Sequence, residues 1–212
     1  MQKSTDAWIY SPSDLIQFVE NEAVTWFNRF ERERPGVLTR DELAAEEQSI
    51  QQAGDKHEAA FLDQLVAEGR DLSDIRNKGN PFVATRDAMR DGREVIYQAR
   101  VEAGEFAGYA DFLFRVEGSS DFGTYHYEVW DTKLARSLKP YFAIQLCCYA
   151  EMLEAVQGRR PAHIGVVLGN GLREKLLTND YFFYYRSVKQ AFLDQQRSFD
   201  QDQMPALSGT AD

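Results

Sequence analysis

"GYADFLFRVEGSSDFGTYHYEVWDTKLA", Gly108 to Ala135, is the stretch that decides the fold of this 212-residue chain. Two runs rich in aromatic and β-branched residues flank the turn-forming "GSSDFG", which predicts an antiparallel hairpin. Centred near Ser120 and Asp121, the hairpin sets Asp111 opposite Trp130 or Asp131, and a slip of one residue turns a side chain to the other face. With Asp131 opposite, Asp111, Asp131 and Lys133 share one face, because alternate residues of a strand point the same way. A buried strand that finishes on an acid and an amine needs a reason, since an unpaired charge in an apolar strand costs several kcal/mol.

Outward from the hairpin, a third strand is predicted at Glu94–Val101, with the hairpin strands at Phe106–Glu117 and Thr124–Asp131. "KPYFAIQLCCYAEMLEAVQG" reads as a helix closed by Gly158, "HIGVVLGNG" as a buried strand, "EKLLTNDY" as a weaker one, and "FFYYRSVKQAFLDQQRSF" as a final helix. Upstream, "SPSDLIQFVENEAVTWFNRF" opens with Ser11 as N-cap, Pro12 at the first helical position and Asp14 at the third, predicting one amphipathic helix ended by "RPGV". A second long helix is predicted from Thr39 to Ala67, with Asp41 and Glu42 in its first turn. "RDLSDIRNKGNP" reads as a polar connector and "ATRDAMRDG" as a short helix. The order implies an α/β fold, a mixed central β-sheet flanked by helices. One domain is expected over residues 1–200, with N-terminal helices at 11–69 and a core at 82–200, followed by a flexible tail at 201–212.

The chain carries 24 Lys and Arg against 34 Asp and Glu, a formal net charge of −10. The acidity is concentrated: Asp41 to Glu68 holds eight acids and one base, Lys56, while the rest is near balance. Such a stretch is an ordinary solvated helix face, and it neither establishes nor excludes a nucleic-acid partner. No apolar run approaches the ~20 residues that span a bilayer, and "MQKSTDAWIY" has no signal-peptide core. Cys147 and Cys148 adjoin on a helix and point apart, so they read as apolar core residues in a reducing, cytoplasmic setting.

Two carboxylates as close as Asp111 and Asp131 repel unless a cation lies between them. Hard oxygen ligands at this spacing suit Mg²⁺ or Mn²⁺, which take one or two protein carboxylates and keep several waters. A neighbouring ammonium, Lys133, completes an apparatus for metal-assisted phosphodiester hydrolysis. The plainer readings are a strand end meeting solvent and a core salt bridge between Asp111 and Lys133.

The order "GYAD", "YEVWDTK", "QLCCY" resembles the PD-(D/E)XK nuclease superfamily, in particular its RecB-like branch. That branch has a glycine and histidine on an upstream helix, G-x-x-D on one strand, D-x-K on the next and Q-x-x-x-Y on the following helix. Here these match Gly54 with His57, Gly108 with Asp111, Asp131 with Lys133, and Gln145 with Tyr149. The resemblance implies a restriction-endonuclease-like core and a DNA nuclease of repair, recombination or defence that leaves a 5′-phosphate. It makes His57, Asp111, Asp131 and the carbonyl of Thr132 ligands of Mg²⁺ or Mn²⁺, with Lys133 positioning the attacking water. Gln145 and Tyr149 would line the site, their i, i+4 spacing placing both on one helical face. Glu58 either reaches the ion's surroundings or faces solvent. Candidate contacts to the DNA backbone are Arg86, Arg90, Arg93, Arg136, Lys139, Arg159 and Arg160.

Some RecB-like nucleases hold an iron–sulfur cluster through four cysteines. This chain has "FVENEAV" on its first helix and no cysteine near its C-terminus, so no such cluster is expected. DNA, and a helicase domain or subunit, are the partners the resemblance implies. A nuclease-like module that binds without cutting, and a nuclease acting on RNA, are the alternatives.

Overall fold

The computed structural model describes residues 1–3, 7–38 and 45–205. The chain is an α/β protein built on a six-stranded mixed sheet flanked by helices. Its centre is the meander β4 (Val95–Ala103), β5 (Phe106–Ser120) and β6 (Gly123–Lys133), each antiparallel to the next. After β6 the chain crosses through helix α5 (Pro140–Gln157) and returns as β7 (His163–Leu168), parallel to β6. The antiparallel edge strand β8 (Arg173–Leu177) and helix α6 (Thr178–Arg197) follow. A parallel neighbour requires such a crossover, which is why the longest apolar helix stands between β6 and β7.

The hairpin register decides the site. Phe112 pairs with Trp130 and Glu117 with Tyr125, and the ladder shifts only near the turn, at the bulge between Glu117 and Ser120. Asp111 and Asp131 therefore each stand one residue beyond the Phe112–Trp130 pair. This is the register in which the two acids come together.

Two cores sandwich the sheet. On one face Ile96, Leu113, Tyr127 and Val129 pack against α5 and α6, joined by Leu15 of α1 (Pro12–Glu20) and Met89 of α4 (Pro81–Arg90). On the other face Phe112, Val95 and Val167 receive Phe61 and Leu65 of α3 (Ala45–Ala67). His57 lies one helical turn before Phe61, so the stripe that docks α3 also aims His57 and Glu58 toward the sheet. Gly165 of β7 serves the same packing: a Cβ there would stand 2.0 Å from the Trp130 indole. Gly165→Ala is expected to lower stability by about 1–3 kcal/mol, read as a fall in denaturant midpoint at unchanged slope.

Several boundaries differ from the sequence reading. The first long helix is two, α1 and α2 (Glu22–Glu33), broken at Asn21, whose extended backbone and side chain cap the second helix through Ala23 N–H. The expected cap of the first does form, with Asp14 Oδ2 accepting from Ser11 N and Oγ at 2.7 and 2.9 Å. The polar connector contains β3 (Leu72–Asp74), parallel to β4 at the sheet edge. The start of α4 is earlier, at Pro81, because Asn80 accepts from Val83 N–H. The weaker strand ends at Leu177 and α6 begins at Thr178. A short hairpin, β1 (Gln2–Lys3) with β2 (Trp8–Ile9), precedes α1. Val19 of α1 is exposed although it is apolar. Residues 39–44, including the predicted first turn at Asp41 and Glu42, and tail residues 206–212 lie outside the described residues. Both cysteines are free and buried in α5. No helix among the described residues is long and apolar enough to cross a membrane.

Candidate functional site

At the open end of the β5–β6 hairpin, the strands deliver polar groups into a place the core would otherwise fill. Asp131 is 5% exposed. Its Oδ2 is buried and stands 2.6 Å from Lys133 Nζ, a contact of charges without the angle of a directed hydrogen bond. Lys133 Nζ donates instead to Gln145 Oε1 at 3.0 Å, and lies 5.5 Å from the Phe142 ring centre. Asp111 Oδ2 accepts from both the N–H and the hydroxyl of Thr132, at 2.9 and 3.0 Å. Thr132 was expected to enter through its carbonyl; what it brings to Asp111 is two donors.

Burial pushes the Asp111 carboxyl well above the usual range, and the charges of Asp131 and Glu58 add to the rise. The Thr132 N–H and the Lys133 ammonium pull it back only in part. Asp111 thus lies within charge range of two other carboxylates, Asp131 and Glu58, and of the Lys133 ammonium, while Glu58 also lies within charge range of the Arg76 guanidinium. A structural salt bridge would balance its charges. Around Asp111, burial and the neighbouring carboxylates together outweigh Lys133 and the Thr132 N–H.

The helix α5 closes the site. Gln145, 8% exposed, spends its carbonyl on Lys133, which fixes the ammonium between amide and carboxylate. One turn on, Tyr149 donates its hydroxyl to Tyr109 O at 2.6 Å. Burial first, then the charges of Asp131 and Asp111, hold that phenol well above its ordinary pKa, so it remains a donor. Gly108 makes the contact feasible, because a Cβ there would meet Tyr149 Oη at 2.7 Å and Pro12 Cδ at 2.9 Å. The glycine of G-x-x-D therefore has a local cause, the close approach of the Tyr149 side chain. Gly54 has open space where a Cβ would stand, and no packing requires it. Gly108→Ala is expected to cost about 1–3 kcal/mol, with the penalty reduced in a Tyr149→Phe background where the clashing oxygen is gone; thermal unfolding of the four proteins in the cycle reads this.

From the other face, Glu58 accepts a hydrogen bond from Gln98 Nε2 and lies beside the Tyr97 hydroxyl. His57 Nε2 is 3.3 Å from Val167 O, next in register to Thr132. A carbonyl can only accept, so a bond here is donated by Nε2–H.

The basic residues do not gather here as a group. Arg136 and Lys139 do stand exposed on the segment that leaves β6. Arg90 and Arg93 sit where Tyr125 and Tyr127 bond their carbonyls, and Arg159 donates to Ser119 O, all toward the hairpin turn at the far end of β6. Arg93 is paired with Asp71 and Arg160 with Glu154. On α4, Arg86 is half-buried beside Phe82. Two other arginines, Arg32 and Arg100, line a cavity of about 380 Å³ that opens beside Gly108, Tyr109 and Tyr149. Sequence reading passed over Gln98 and Arg100. Gln98, a lone amide in "VIYQARV", gives the same signal that marks Gln145.

Among the described residues no group of three or more His, Cys, Asp or Glu side chains stands in chelating geometry. A Mg²⁺-type site does not need one, because one or two carboxylates and water suffice. The donor set fits such an ion: a buried Asp131 oxygen partnered only by the Lys133 ammonium, a second carboxylate whose charged form is disfavoured, and two hard oxygen donors. In comparisons with known proteins, the chain matches no family model and no curated protein. The chemistry of the site therefore rests on its own geometry.

Proposed function

We propose that this chain is a Mg²⁺- or Mn²⁺-dependent nuclease acting on DNA, with a restriction-endonuclease-like core of the RecB-like PD-(D/E)XK kind. The observation that carries the reading is the local excess of acid around Asp111: it is buried with Asp131 and Glu58 within charge range, and Asp131 is paired with Lys133 at 2.6 Å. An apolar sheet has no structural use for that excess, and a divalent cation offsets it.

Asp111 and Asp131 would hold the ion, with His57 bonded to Val167 O on the neighbouring strand. Bound there, the ion supplies a Lewis acid for the phosphoryl oxygen and lowers the pKa of water for attack. Lys133 presents its ammonium where negative charge develops, held in orientation by Gln145. Tyr149 ties α5 to β5 through Tyr109 O and so keeps the strand of Asp111 in register with the helix of Gln145. Arg136 and Lys139, on the segment leaving β6, and Arg32 and Arg100, lining the adjoining cavity with Arg100 also paired to Glu102, are the cations that would meet a phosphate backbone as a basic rim.

The test is an assay of single-stranded DNA, duplex DNA and RNA with 5 mM-scale Mn²⁺ or with chelator, a concentration on the order of those that saturate weak sites. Cleavage of DNA that stops in chelator and leaves 5′-phosphate ends supports the proposal. RNA cleaved in preference to DNA moves the substrate class. Binding of DNA with no cleavage of any substrate points to the non-catalytic module.

A further inference from the structure

Among the described residues Gln98 is the one non-glycine residue with a left-handed backbone, at φ 52°. L-residues avoid that region, and a glutamine has no intrinsic preference for it. Its place in β4 is informative. The ladder pairs Tyr97 with Phe112 and Ala99 with Ala110, yet Gln98 and Asp111 between them are not paired. Equal numbers of residues separate the pairs on both strands, so nothing has been inserted.

The strands invert instead. Ile96 and Ala99 pack in the same core, as do Ala110 and Leu113, although strict alternation would send each pair to opposite faces. With Ile96 on the α5 face, alternation would give Gln98 the α5 face too. Glu58, on α3, approaches from the other side. The positive φ is what turns the Gln98 amide across the sheet to meet it. Strained backbone of this kind persists where surrounding structure imposes it, and it gathers at functional sites.

We propose that Gln98 is a positioning residue that holds the Glu58 carboxylate on the sheet side of α3, where Glu58 acts on the divalent-ion centre from outside the ion's ligands, through its bound water. The inference rests on the metal-dependent reading above and extends it to a residue outside the four motifs. The Gln98 amide holds the Glu58 carboxylate in one orientation toward the sheet before the ion arrives. Preorganised outer partners of this sort change metal affinity by about 10–100-fold when removed.

The experiment is Mn²⁺ titration calorimetry on the full chain, without DNA, alongside thermal unfolding. Gln98→Asn keeps an amide and tolerates the left-handed region but is one methylene too short to reach Glu58. Gln98→Gly removes both the side chain and the strain. Both variants are expected to unfold at or above the wild-type temperature while binding Mn²⁺ about 10–100-fold more weakly. Glu58→Ala should show the same loss, and Gln98→Asn/Glu58→Ala no further loss. Two outcomes overturn the proposal and leave the nuclease reading standing: wild-type Mn²⁺ affinity in both Gln98 variants, or additive losses in the double variant. A fall in unfolding temperature in both variants makes Gln98 a structural residue and likewise overturns it. Absence of Mn²⁺ binding by the wild-type chain overturns the proposal and the metal-dependent reading together.

Discussion

Lys133→Ala is expected to lower the rate of DNA cleavage by about 10²–10³-fold, the usual cost of losing one preorganised group that meets transition-state charge. The loss should fall on kcat, since Lys133 is directed at Asp131 and Gln145 and not at the basic rim that would hold the strand. The ammonium is also the charge paired with buried Asp131, so its removal leaves Asp131 uncompensated, and stability in chelator should drop. Added Mn²⁺ restores charge balance and should recover most of that stability without recovering turnover. This split is what separates a catalytic lysine from a core salt bridge, for which stability and activity would fall together and the ion would rescue neither. Lys133→Arg is not expected to restore activity, because a planar guanidinium does not fit a place shaped for a compact ammonium between one carboxylate and one amide. Gln145→Ala should lose less, with Lys133 still present but free to rotate. Single-turnover cleavage with saturating DNA, and unfolding temperatures with and without Mn²⁺, read all of these.

The sheet was legible because its strands alternate and its turns are marked. "GSSDFG" set the hairpin to within a residue, and the acids at its far end then met by arithmetic of register. Asp111, Asp131, Lys133 and Gln145 were legible for a related reason: each is a polar group where the pattern calls for an apolar one, while Tyr149 was named only through its spacing from Gln145 and the Q-x-x-x-Y resemblance. Gln98 was equally visible by that rule, but its left-handed backbone was not, since nothing in "VIYQARV" announces a positive φ at glutamine. The break at Asn21 was hidden because apolar residues at helical spacing continue on both sides of it, and only the side-chain cap to Ala23 marks the boundary. Strand β3 escaped because an edge strand of three residues, bonded on one side, need carry no alternation. Composition could not sort the basic residues, whose value depends on which end of β6 they occupy. Arg159 and Arg136 look alike in sequence and stand at opposite ends of that strand.

Asp111→Asn is expected to abolish cleavage and, in chelator at neutral pH, to make the protein more stable. Its carboxyl is held above the ordinary range by burial and by Asp131 and Glu58. In the unfolded chain it ionises near the usual value of about 3.9. Below that pH both states hold the proton and the aspartate contributes no pH dependence. As pH rises toward the raised native value, the unfolded chain releases its proton first, so stability falls with pH across that window. Asparagine has no proton to lose, and its oxygen can still accept from Thr132 N–H and hydroxyl. The gap in unfolding temperature between variant and wild type should therefore be small near pH 4 and widen toward pH 7. A few degrees is the expected size, since ~1 kcal/mol moves the midpoint by about 2–4 °C in a chain of this length. Mn²⁺ should reverse the order, because a ligand stabilises only the state that binds it, and the wild-type chain keeps both carboxylates. A structural aspartate behaves in the opposite way: with Asp111 simply paired in the core, the asparagine would lower stability at neutral pH and Mn²⁺ would leave the order unchanged. Thermal unfolding from pH 4 to pH 8, with chelator and with Mn²⁺, thus asks whether this pair of acids was built to be neutralised by an ion.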